Sequence, residues 1–169
     1  MNSTRLRIRF TKEGDLRLIS HRDLVRTLER LFRRADLPLA MSEGYHPKPR
    51  MMLPSALALG ISGCQEVMEV QLAEDLDSDD VHRRLAAHAP PEMQILGVET
   101  LETGTPKARV ASATYQIHAP PQRRAQLQAA IDQLLARPSY PVERSGGKKT
   151  LDLKANLMEL ALEGESLRF

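Results

Sequence analysis

The hexapeptide RLRIRF at residues 5–10 alternates without a break, with Leu6, Ile8 and Phe10 on one side and Arg5, Arg7 and Arg9 on the other. A repeat of two is that of a β-strand with one buried and one wet face. Wound as a helix, the same residues would scatter arginine all round the cylinder. A chain that opens this way is committed to a sheet with one apolar side, and it must supply a layer to cover that side.

The cover follows directly. TKEGD turns the chain, and Ser20 stands as the N-cap of a helix. Asp23, three residues on, resembles a capping box with Asp in place of the usual Glu. Leu24, Val25, Leu28, Leu31, Phe32 and Ala35 form one stripe, while Arg22, Arg26, Arg30 and Arg33 lie opposite with Glu29 among them. Pro38 ends the element. RMMLPSALALGIS is strand-like, and in EVMEVQLAE the side chains of Met68, Val70 and Leu72 point one way. Ser78 is placed to cap a second helix, with Asp79 and Asp80 at its positive end. Pro90 and Pro91 stop it, and MQILGVETL is a further strand. This order predicts an α+β fold, a ferredoxin-like βαββαβ domain over residues 1–101.

Residues 102–111 are polar, contain Gly104 and Pro106, and are expected to be a linker. A second αβ unit is expected over residues 112–169. It starts with ATYQIHA and a helix from about Pro121 to Arg137, followed by strands near 140–144 and 148–153 that flank an SGGK hairpin turn. Alternation continues through LMELALEG and SLRF, without the closing helix and strand of a full repeat. The expectation is a tandem arrangement whose second ferredoxin-like unit is incomplete, either degenerate or truncated, with truncation favoured by the stop on Phe169.

Charge narrows the function classes. The net charge is only +2, but residues 5–50 hold twelve Lys/Arg against six Asp/Glu, and residues 65–102 hold two against ten. That asymmetry argues against uniform coating by nucleic acid and for a local anion site or a charged docking face. Aromatic residues make up 4% and Trp is absent, which disfavours platforms that stack bases. The single cysteine, Cys64, excludes an intramolecular disulfide, a four-cysteine zinc site and an iron–sulfur cluster held by this chain alone. No signal peptide or membrane-spanning run is evident, so the expected location is the cytoplasm, with no membrane partner.

The loop after the first helix holds the densest chemistry: Ser42, Glu43, Tyr45, His46, Lys48 and Arg50, spaced by Gly44, Pro47 and Pro49. A Ser-His-x-Asp-Leu helix start, an Arg-Arg-Ala helix end and a Ser-x-Gly-aromatic-x-Pro loop together resemble the opening of the radical SAM-linked protein family. Its bacterial members are encoded beside, or fused to, a B12-binding-type radical SAM protein. The resemblance covers most of residues 5–101 and continues more loosely through DLKANLMELALEGESLRF. It implies a radical SAM partner. S-adenosylmethionine and the cluster would belong to that partner, and this chain would bind no cofactor. Arg22 stands where the family usually has an apolar residue. Lys48 stands where a second loop histidine is common, which undercuts a metal site there.

Three chemical readings of the helix and loop compete. Arg26, Arg30, Arg33, Arg34, Lys48 and Arg50 suit phosphate, because guanidinium forks donate paired hydrogen bonds. Arg5, Arg7 and Arg9 would add a row along the sheet, with Glu69 placed to neutralise part of it. The plainer view is that these side chains solvate exposed faces or dock a partner. Secondly, His21, Tyr45, His46 and Lys48 supply acid and base for metal-independent RNA cleavage, an analogy with the tandem ferredoxin-like endonucleases of CRISPR systems that is drawn from fold alone. Thirdly, His21, Asp23, Glu43 and His46 are acceptable metal ligands, yet their spacing does not demand a metal, and none is expected.

The favoured expectation is an accessory domain, not an enzyme on its own, that presents a polyanion, with RNA preferred, to a radical SAM protein. The alternatives are a pure protein–protein adaptor and the endonuclease. In the favoured picture Ser20 and Asp23 cap the helix, Ser42 and Gly44 shape the loop, and His21 and Glu43 pin it. Tyr45 and His46 then touch the substrate. The capped helix start and the loop are expected to converge on one electropositive pocket.

Overall fold

The computed structural model describes residues 3–143 and 150–169 and divides into two units, Met1–Val110 and Ala111–Phe169. In the first, RLRIRFTK forms β1 (Arg5–Lys12), followed by a 3-10 turn and α1 (His21–Arg34). Then come β2 (Met51–Met52), β3 (Gly63–Gln71), α2 (Ser78–His88) and β4 (Ile95–Thr100). The strands lie in the order β2-β3-β1-β4, and every neighbouring pair is antiparallel. β1 is therefore central, as its uninterrupted alternation suits. The fold is a mixture of helix and sheet, α+β.

Leu6, Ile8 and Phe10 of β1 join Met68 and Val70 of β3, with Leu72 just beyond it, in one core. Leu24, Leu28, Leu31 and Phe32 of α1, and Val81 and Leu85 of α2, close that core from the helix side. Full burial of each such side chain stabilises by about 1.5–3 kcal/mol relative to exposure. The stripe read from the α1 sequence is the buried stripe, with Val25 half-buried at its margin.

The ends of the helices are more informative than their middles. Ser20 caps α1, its Oγ accepting from Asp23 N–H at 3.2 Å and donating to Asp23 Oδ2 at 2.7 Å. That hydroxyl foremost, and the Arg26 guanidinium, hold the Asp23 carboxyl below its ordinary value against a smaller opposing effect of desolvation. The α2 cap is Asp77 and not the expected Ser78. Asp77 Oδ1 accepts from Asp79 N–H at 2.9 Å and Asp80 N–H at 3.2 Å, and a carboxylate satisfies two orphan donors more strongly than a hydroxyl would.

α1 stops before Pro38. Asp36 takes φ 54°, Asp36 N–H donates to Arg33 O, and Leu37 N–H donates to Phe32 O at 3.0 Å. This is a Schellman stop with a non-glycine residue in the left-handed position, and its C″ residue Leu37 is buried as the motif requires.

The polar segment expected to be a linker contributes to the first unit. Arg5 Nη1 donates to Thr105 O at 2.5 Å, and Ala108 N–H donates to Glu69 Oε1 at 3.0 Å. In the second unit, β5 (Gln116–His118) precedes α3 (Arg124–Ala136). The strands β6 (Pro141–Glu143), β7 (Thr150–Asp152), β8 (Ala161–Glu163) and β9 (Ser166–Arg168) complete it. β5-β9-β8 form one sheet and β6-β7 a separate ladder. Tyr115 stacks on Phe169 at 5.4 Å, and their backbones exchange two hydrogen bonds. Lys154 Nζ closes the end of α3 by donating to Leu135 O and Arg137 O, both at 2.7 Å. The SGGK turn and the start of the strand expected at 148 lie outside the described residues.

Candidate functional site

The Ala40–Arg50 loop has a bonded stem and a bare tip. Ala40 N–H donates to Gln71 O at 2.8 Å, Gln71 N–H to Arg50 O at 3.0 Å, and Arg50 N–H to Ala40 O at 2.8 Å. The stem thus grows out of the end of β3. One step further out, Ser42 N–H donates to Lys48 O at 2.8 Å and Lys48 N–H donates to Ser42 Oγ at 2.9 Å. Ser42 closes the loop as expected of an organiser, but its partner is Lys48. Gly44 follows at φ 115°, a conformation that disfavours any side chain. Glu43, Tyr45, His46, Pro47 and Lys48 are exposed, Tyr45 completely so. Arg50 Nη1 donates to Gln71 Oε1 at 3.1 Å, which fixes one cation at the base of the stem.

His21 is not part of this cluster. α1 begins after the chain leaves β1 at Lys12, whereas the stem is tied to Gln71 and Leu72, whose strand partners are Arg5 and Thr4. Fourteen helical residues separate the two ends, a length of roughly 20 Å. The convergence expected of His21 and Glu43 with Tyr45 and His46 is therefore corrected. A helix that returns along the sheet places its two termini at opposite ends. Ser20 and Asp23 organise the helix start, and Ser42 and Gly44 shape the loop. Among the described residues, no group of three His, Cys, Asp or Glu side chains is placed to hold a metal.

The two arginine rows have different fates. Arg5 Nη2 reaches Glu69 Oε2 at 2.8 Å and Arg7 Nη2 reaches Glu69 Oε1 at 2.9 Å, with the Arg7 Nε–H donating to the same oxygen at 3.2 Å. Glu69 is 4% exposed. Burial pushes its carboxyl up, and the hydrogen bonds from Arg5, Arg7 and Ala108 outweigh that, leaving it below its usual value of 4.5. Of this row Arg9 alone is exposed.

On α1, by contrast, Arg22, Arg26, Arg30 and Arg33 are all exposed. Arg26 meets only the surface carboxylate of Asp23 at 3.3 Å, and the Arg30 Nε–H donates to Arg26 O at 3.2 Å. Arg34 Nη2 donates to His88 O at 3.2 Å, so it ties α1 to the end of α2. Among the described residues neither Arg30 nor Arg33 has a carboxylate within 4.0 Å.

A feature not anticipated from the sequence lies beside this face. A cavity of about 470 Å³ opens between the C-terminal half of α1, the loop stem and α2. Phe32 and Leu37 line it, Met41 and Pro49 border it, and Glu29, Asp36, Glu74, Arg33 and Arg84 supply its charge.

Among the described residues, no helix is long and apolar enough to cross a membrane. Nothing among curated proteins matches the sequence. One family does match, over residues 5–168 and so across both units: the chain belongs to the bacterial family described as "Uncharacterized protein conserved in bacteria (DUF2344)".

Proposed function

We propose that this chain is an accessory, substrate-presenting domain that binds a polyanion, RNA by preference, on the outer face of α1 and the adjoining loop. The observation that carries this reading is the difference between the two arginine rows. Arg5 and Arg7 of the β1 row are neutralised by a buried carboxylate, while the α1 row keeps its guanidinium groups exposed, and among the described residues its one ion pair is Arg26 with Asp23. Guanidinium groups repeating at one-turn spacing match a backbone of repeating phosphates. Arg26, Arg30 and Arg33 would bind phosphate, with Lys48 and Arg50 flanking at the loop. Tyr45, held fully in solvent on a bonded stem, would stack on an unpaired base.

A ferredoxin-like reading of the first unit is supported by its strand order and by α1 and α2 serving as the two crossovers. The partner in this proposal is a radical SAM protein, as the resemblance of the Ser20–Arg50 motifs implies. That partner would supply the cluster and the S-adenosylmethionine. The endonuclease reading loses its support, because His21 stands a helix length away from the stem that carries Tyr45, His46 and Lys48.

The test is fluorescence anisotropy with labelled single-stranded RNA. An Arg26→Glu plus Arg30→Glu variant is expected to bind at least about tenfold more weakly, and its log–log salt slope should fall by about 1.4. Equal affinity and an unchanged slope would rule out this surface.

A further inference from the structure

The sheet of the first unit has two edges, and the fold treats them differently. At one edge β2 is two residues long. At the other, β4 runs for six residues and is guarded along only part of its length. Leu101 N–H donates to Arg5 O at 2.8 Å. Counting back by twos, Glu99 and Gly97 also face β1, where Arg7 and Arg9 are their register partners. The N–H and C=O groups of Val98 and Thr100 therefore point outward, and among the described residues no hydrogen bond reaches them. The start of the strand is closed. The register slips between Arg9 and Phe10, which leaves Leu96 as a bulge, and His82 of α2 donates through Nε2 to Ile95 O at 3.1 Å.

Charge sorts the possible occupants of the open part. Glu99 is 61% exposed and meets Arg7 only loosely, at 4.0 Å. A second copy could use all the outward groups only by setting Val98 opposite Thr100 of its mate, which places Glu99 against Glu99. Like charges directly opposed destabilise a strand pair, whereas a lysine or arginine there would be favoured. Two residues away on the same face, Gly97 has no side chain, and nothing lies within 4 Å of where one would start. Its exposed register partner, Arg9, is therefore open to a carboxylate approaching across the edge.

We infer that β4 accepts an extended segment of a protein partner as an added antiparallel strand, one that carries the sequence Lys-x-Glu. The partner's lysine lies opposite Glu99, and its glutamate lies opposite Gly97 and reaches toward Arg9. The residues on either side of the lysine exchange backbone hydrogen bonds with Val98 and Thr100, which is strand addition at a sheet edge. This surface does not rest on the α1 reading.

The peptide Gly-Val-Lys-Val-Glu-Val-Gly, titrated into the isotope-labelled full chain, tests it. Amide shifts should centre on Val98 and Thr100. The same peptide N-methylated at the two valines that flank lysine keeps every charge, loses two donors, and should bind about tenfold more weakly. Glu99→Lys should weaken the parent peptide about threefold, and a peptide with glutamate in place of that lysine should recover the loss on the variant. Equal binding of the methylated peptide, an unchanged affinity of the Glu99→Lys variant, or shifts centred away from β4 overturns the inference. Shifts at these amides that grow with protein concentration alone would make the occupant a second copy, which also overturns it.

Discussion

Two sets of arginines sit in one unit, five to thirty-three residues into the chain, and only one of them faces solvent. In β1 the side chains project from a central strand, so each meets a cross-strand neighbour at close range. Arg7 lies opposite Glu69 in the β1–β3 register and opposite Glu99 in the β1–β4 register. In α1, Arg22, Arg26, Arg30 and Arg33 project from the outer face of the cover layer, and among the described residues the one carboxylate paired with any of them is Asp23 of the same helix. The lesson is that cationic spacing alone does not make an anion site. What matters is whether the fold brings a carboxylate from another element against it.

The largest expected effect comes from breaking the neutralised row. Glu69→Ala leaves the Arg5 and Arg7 guanidinium groups, 30% and 25% exposed, without their shared partner, along with the Ala108 N–H. Loss of about 3 kcal/mol is expected, read as a lower urea midpoint. The pH dependence has a definite sign. The folded-state carboxyl of Glu69 lies below 4.5, so its stabilisation is present above that value and is lost as pH falls through the folded-state pKa. Glu69→Gln should therefore flatten the acid limb of a stability profile, and an unchanged limb would place the acid sensitivity elsewhere.

Next in size is the α1 double reversal, which should lower RNA affinity while shifting stability by no more than about 0.5 kcal/mol, as surface substitutions usually do. A collapse in stability instead would mean that this row is structural like the first. Asp36→Gly should raise stability by about 0.5–1 kcal/mol, seen as a higher thermal midpoint. The smallest effect is at the loop: Ser42→Ala removes the acceptor for Lys48 N–H and should cost about 0.5–1 kcal/mol, with faster amide exchange at Lys48.

Much of the first unit was legible because its signals are long. The alternation of β1, the stripe of α1 and the Met68–Val70–Leu72 face each state a burial pattern that the structure contains. Glu69 was also legible as a neutraliser of the arginine row. The placement of His21 was missed, although the physics was in the sequence. A helix of that length must carry its two ends apart, so residues alike in chemistry need not be close in space. The Asp77 cap was missed because Asp77 and Ser78 are adjacent and both are good caps. The stop at Asp36 was hidden because the motif is recognised by glycine. The cavity was illegible for a different reason, since Glu74 and Arg84 reach it from elements that only tertiary packing brings together. In the second unit the strands are three residues long, too short for a period of two to distinguish them from noise.

The bare tip of the loop has an optical consequence. The chain has three tyrosines and no tryptophan, so phenol emission is not masked. Tyr115 is stacked against Phe169 and Tyr140 lies beneath the Arg137 guanidinium, but Tyr45 has only water around it. A guest that settles on the loop should therefore change the native fluorescence mainly through one ring, giving a label-free readout at a known address. Tyr45→Phe supplies the blank.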